Sequence, residues 1–146
     1  MVDQVRPIVL LLARIAIGAI FLVHGLVKFT GGIGGTTAFF EQIGIPLPGL
    51  AAPVVAVVEV LGGAALILGA GLPIAGVLLA LDMLGAAVFV HFANGFFVDK
   101  GGFEFVLALA AGALAVGFTG GGALALDSLW QRGRTTTTAG PGAPAA

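Results

Sequence analysis

The run LAAPVVAVVEVLGGAALILGAGLPIAGVLLALDMLGAAVFVHFA, Leu50–Ala93, decides what kind of protein this is. It holds two carboxylates, Glu59 and Asp82, one histidine, and no lysine or arginine. A helix crossing a hydrocarbon layer about 30 Å thick needs roughly 20 apolar residues at about 1.5 Å each. The run is long enough for two such helices, about Leu50–Ala70 and Leu72–Ala93, joined by a tight turn at Gly69–Pro73. It lacks the strict apolar/polar alternation of outer-membrane strands, so a β-barrel is not expected.

Two further apolar stretches flank this pair. One covers about Pro7–Phe29, with Pro7 at a first-turn position where its missing N–H costs nothing. The other covers about Phe103–Thr119. The expected fold is all-α: an integral membrane four-helix bundle over residues 1–130. Composition agrees. Of 146 residues, 59% are hydrophobic and 9% charged, whereas soluble domains average about 25% charged. A soluble globule would lack the charge to cover its surface, and a disordered chain would be poorer in apolar residues. The net charge of −1 offers no basic field for nucleic acid. Cysteine is absent, which excludes disulfides, thiolate chemistry and Cys-ligated metal or iron–sulfur sites in this chain.

The apolar run after Met1–Arg6 is too long, and too interrupted by Arg14, His24 and Lys28, to be a cleavable signal. Met1–Arg6 is expected to be a short exposed arm. Residues 131–146, QRGRTTTTAGPGAPAA, are low-complexity and expected to be disordered. Arg6, Arg132 and Arg134 oppose Lys28 and Lys100 across the bundle, which favours both termini in the cytoplasm of a bacterial plasma membrane. The outward loop Thr30–Gly49 contains Phe39, Phe40 and Ile43 on one helical side, as in a short interfacial helix or an ordered loop. The abundant glycines inside the spans read mainly as close helix packing.

Ionisable residues inside a bilayer cost about 2.5–3.5 kcal/mol each on insertion scales and usually face the bundle interior. Depth along the helices sorts them into two groups. Arg14, Glu59 and Asp82 fall within one to two helical turns of one another in depth and are expected to form a buried charge cluster. That cluster is either a proton-handling centre or a salt bridge fixing helix register. His24, Lys28, His91, Asn94 and Glu104 lie toward the outer face as a polar or quinone-binding group. Lys28 is expected to snorkel to the headgroups, and Glu104 also complements the start of the fourth helix. Two histidines fall short of a metal site, and no HxxE or HxxxH spacing adds ligands, so no metal is expected. Asp82 and His91, nine residues apart, lie on opposite sides of a regular helix at about 100° per residue. They therefore serve different pockets unless the helix breaks before His91.

The ordered set HGLVKF (His24–Phe29), EVLGGAALILG (Glu59–Gly69), HFANGF (His91–Phe96), GGFEF (Gly101–Phe105) and GGGALALDSL (Gly120–Leu129) resembles the DoxX family. The resemblance covers nearly all of the chain up to Leu129. It implies a small four-helix membrane protein, related to the membrane subunit of thiosulfate:quinone oxidoreductase. Its recurring polar positions fall on His24, Lys28, Glu59, His91, Asn94 and Glu104, and on Arg14 in the first helix. Asp82 is not assigned by the pattern.

Three functions are compatible with these residues. The first is a membrane subunit of a redox assembly that contacts quinone and relays protons. It would hold no covalent cofactor, so a protein partner would supply the electrons. The second is a non-catalytic scaffold or assembly factor, alone or as a homo-oligomer. The third, a small transporter, lacks the inverted repeat or paired broken helices that would support it.

Overall fold

The computed structural model describes residues 2–128. The tail 131–146, including Arg132 and Arg134, lies outside the described residues. Every described element is helical, with no strand: α1 Val2–Thr30, α2 Ile33–Gln42, α3 Pro48–Leu68, α4 Leu72–Ala86 and α5 Glu104–Phe118. A π-helical turn, Ala87–His91, and a 3₁₀ turn, Phe92–Asn94, continue α4. Three helical stretches, Val2–Thr30, Pro48–Leu68 and Leu72–Asn94, are long and apolar enough to cross a membrane. Glu104–Phe118 is apolar but shorter, at 15 residues.

Local chemistry explains the ends. Pro48 starts α3 in its first turn, and Gly69 ends it with φ 71°, in the left-handed region that glycine adopts without strain. In α1 the helix begins at Val2, ahead of the expected edge at Pro7, so residues 2–6 are exposed as expected but helical. Pro7 removes only the backbone bond that would reach Asp3. The Pro7 carbonyl instead accepts the N–H of Ala123, at 2.9 Å.

The helices close a ring: α1 packs on α3, α3 on α4, α4 on α5, and α5 returns to α1. Lipid removes the hydrophobic drive between helices, so close backbone contact must replace it. The α1–α3 seam does this at Gly18 and Gly63, where a Cβ on Gly63 would lie 2.6 Å from the Gly18 carbonyl oxygen. On the α4–α5 seam a Cβ on Gly76 would lie 2.7 Å from the Ala113 carbonyl oxygen. Phe21, Leu66, Leu79 and Ala113 fill the centre, while Leu61, Ile74 and Val88 face outward. That inversion of the soluble pattern suits a lipid solvent.

The α1–α3 seam also sets the register that positions the site. Gly25 backs onto Glu59 and Val60. Counting from that level, α3 rises past the end of α1 by about 10 Å at about 1.5 Å per residue. Helix α2 fills this step, packing against α3 with Phe40 buried. The expected short helix in the Thr30–Gly49 loop is therefore present, as a cover over the bundle.

Candidate functional site

Glu59 sits in the middle of α3 with its side chain 5% exposed, facing α1 across the close approach at Gly25. A buried carboxylate must be paired. Its partner is Lys28, whose Nζ lies 2.5 Å from Glu59 Oε2 and whose side chain is 21% exposed. This ion pair corrects the expectation that Lys28 snorkels to the headgroups. The reason is the register. Because α3 overshoots α1 and α2 closes the step, the last turn of α1 is covered on this side, and a buried anion lies within reach.

The pair forms a wall between two cavities. The first, about 350 Å³, is lined by His24, Lys28, Glu59, Met83, His91, Phe105 and neighbouring apolar residues. The second, about 370 Å³, lies under α2 and is lined by Phe39, Phe40, Asp82, Phe89, Lys28 and Glu59 among others. Met83 and Ala86 complete the shared wall. Asp82 lies within electrostatic reach of both Glu59 and Lys28, and its Oδ2 is buried without a hydrogen-bond partner. Two carboxyl groups thus face one ammonium.

Asp82 and His91 line different cavities, and the helix also changes before His91. The π turn Ala87–His91 alters the angular step just where the regular count would place the two residues on opposite sides. His91 Nδ1 meets the Gly101 carbonyl at 2.7 Å. A carbonyl only accepts, so Nδ1 donates and the neutral ring keeps its lone pair on Nε2. Asn94 Nδ2 donates to the same carbonyl and, more loosely, to that of Val90. Glu104 Oε1 accepts the Val98 N–H at 2.7 Å, closing the loop before α5. Of the five outer residues, His24, Lys28 and His91 line the first cavity, while Asn94 and Glu104 shape the loop beside it.

Arg14 does not join Glu59 and Asp82, which corrects the expected inner cluster. It is 1% exposed and donates from Nη1 to the Gly121 carbonyl at 2.5 Å and from Nη2 to that of Ala123 at 2.9 Å. The α1–α3 register places Arg14 several turns below Lys28, level with the end of α3 near Gly69, so the carboxylates are out of its reach. The segment it grips continues to Asp127, whose carboxylate accepts the N–H groups of Gly71 and Leu72 at 2.9 and 3.1 Å. Asp127 thus caps the start of α4 from a distance. Sequence reading gave it no role. Its only signal was an acid placed in the recurring GGGALALDSL run, with no partner legible beside it.

The first cavity offers an apolar slot with an imidazole nitrogen, an ammonium and a carboxylate on its walls. Such an arrangement can hold a polar ring by its oxygen atoms and pass protons to it. Among the described residues, no three His, Cys, Asp or Glu side chains converge as metal ligands would.

The DoxX family profile matches residues 9–92. The chain is 40% identical over 124 residues to "Putative oxidoreductase CatD" of Bacillus subtilis, covering 85% of this chain and 88% of that protein. It is 34% identical over 127 residues to "Inner membrane protein YphA" of Escherichia coli, covering 84% of this chain and 90% of that protein. No solved structure matches. A profile over more than half of the length, relatives aligned over nearly their full length, and several apolar helices of spanning length lead to one conclusion: the chain is a helical membrane protein of the DoxX family.

Proposed function

We propose that the protein is the membrane subunit of a quinone-linked redox assembly in a bacterial plasma membrane. It spans the bilayer four times, as one domain over residues 1–130, with both termini in the cytoplasm. One observation carries this reading: Lys28 pairs with the buried Glu59, and the pair borders a cavity of about 350 Å³ that also holds His24 and His91. That volume lies within the roughly 300–1,000 Å³ of small-molecule sites. The donor set suits a ligand with carbonyl oxygens in an apolar ring.

A bound quinone would supply a two-electron, two-proton acceptor, its electrons coming from a protein partner. His24 and Lys28 hold the ring oxygens from α1. His91, fixed by the Gly101 carbonyl, presents Nε2 from the opposite side. Glu59 and Asp82 share the Lys28 ammonium, and as a set they are neutral only when one proton lies on them. The trio thereby stores a proton beside the site. Met83 and the surrounding phenylalanines keep water away. The name of the Bacillus subtilis relative, an oxidoreductase, agrees with this reading.

The test is to purify the full chain in mild detergent and extract its lipids. A quinone near one per chain, lost in Glu59→Gln and in His24→Ala while the melting profile is kept, is the expected result. No quinone in the wild type, together with a protein partner that stays bound to both variants, would favour a non-catalytic assembly factor instead.

A further inference from the structure

The first cavity lies just behind the lipid-facing surface at the α1–α5 gap. Helices α1 and α5 meet where a Cβ on Gly112 would lie 2.8 Å from Ile17 Cδ1. Toward the outer side, Ile20 and His24 of α1 face Phe105 and Leu109 of α5 across the cavity. On the outer surface of the same gap runs a shallow groove lined by Ala19, Ile20, Val23, His24 and Phe105. Cavity and groove share Ile20, His24 and Phe105, so only these three side chains stand between them. Val23 and Phe105 are exposed on the outward, lipid-facing surface. His24 is also exposed there, at the mouth. An imidazole facing hydrocarbon is costly unless it bonds something, and a polar head passing through the mouth would provide the partner.

From this geometry we infer that the cavity is loaded sideways from the bilayer through the α1–α5 gap. The groove at Ala19 and Val23 seats the aliphatic tail of the ligand whose head the cavity holds. The inference rests on the quinone reading of the same cavity and adds the class of ligand: a long-tailed membrane quinone rather than a soluble ring. The cavity has room for a ring and its substituents, and a chain must leave by an opening. The groove is apolar, begins at the polar site and lies where the tail would already be dissolved. Lipid and groove are equally apolar, so the tail gains little by entering. What the groove provides is an exit for the chain: with it blocked a tailed ligand no longer fits, whereas a tailless head still does.

The experiment uses the full chain in lipid nanodiscs and two probes, a tailless benzoquinone and the same head bearing a decyl chain. Bound quinone is counted after rapid gel filtration of wild type, Val23→Trp and the control Leu61→Trp, which alters a lipid-facing position on α3. In Val23→Trp, retention of the decyl quinone is expected to fall about tenfold while the tailless one stays within about twofold. Leu61→Trp changes neither. Both probes responding alike in Val23→Trp would overturn the side-loading route. Failure of both probes to bind the wild type would instead remove the quinone reading itself. Displacement of the decyl quinone alone by lysophosphatidylcholine at equal concentration would overturn the assignment by making the groove a lipid site.

Discussion

The two ends of the bundle use buried charge in opposite ways. At one end, the side chains of Arg14 and Asp127 bond only to backbone: the guanidinium holds the Gly121 and Ala123 carbonyls, with its Nε left without a partner, and the carboxylate holds the Gly71 and Leu72 N–H groups. These contacts tie the segment after α5 to α1 and to the α3–α4 turn. At the other end, Lys28, Glu59 and Asp82 face one another, with cavities on both sides. A charge bonded to backbone has one geometry and nowhere to go. A charge bonded to another charge beside open volume can exchange partners with a ligand. Burial alone therefore does not mark a site, but the kind of partner and the space around it do.

The contrast can be broken most visibly at the fixed end. Arg14→Leu leaves two part-buried carbonyls without donors and is expected to cost about 3 kcal/mol, as lost hydrogen bonds to a charged group do. A thermal melt in detergent checks this, and a wild-type melting temperature would show that the C-terminal segment is not held by the guanidinium. Next in size is the seam that sets the register. Gly63→Ala drives a Cβ into the Gly18 carbonyl and is expected to cost about 2 kcal/mol, with Lys28 and Glu59 pulled out of register. A greater fall in quinone content than Arg14→Leu produces would sharpen the point that register serves the site. Asp127→Ala removes a distant cap and is expected to cost about 1 kcal/mol, read from the same melts.

How much of this was legible in the sequence follows from the same contrast. Apolar runs reveal spans because composition alone decides them, and Glu59 and Asp82 are conspicuous in those runs. The partners of Arg14 are backbone carbonyls, which carry no sequence signature, whereas depth along the helices groups it with the acids at a similar level. Lys28 stands near a helix end, where a lysine ordinarily snorkels, and nothing local announces a buried acid within its reach. The true level depends on Gly18 meeting Gly63, a tertiary contact that shifts α3 against α1. The π turn before His91 falls in AVFVH, which has no proline or glycine to announce it. Phe39 and Phe40 on one side of α2 were readable as an apolar face, but not that this face covers the second cavity.

The smallest expected effect on stability belongs to the site, and it carries the central claim. Replacing a buried ion pair by neutral side chains of similar size is often close to neutral, whereas removing one partner is not. The double variant Lys28→Met/Glu59→Gln should therefore melt within about 1 kcal/mol of the wild type. The decisive measurement is its quinone content after purification, taken beside Arg14→Leu and the wild type. The expected result is a folded double variant without quinone and a destabilised Arg14→Leu that still carries it. A double variant that keeps quinone at the wild-type ratio, or that melts as early as Arg14→Leu, would contradict it.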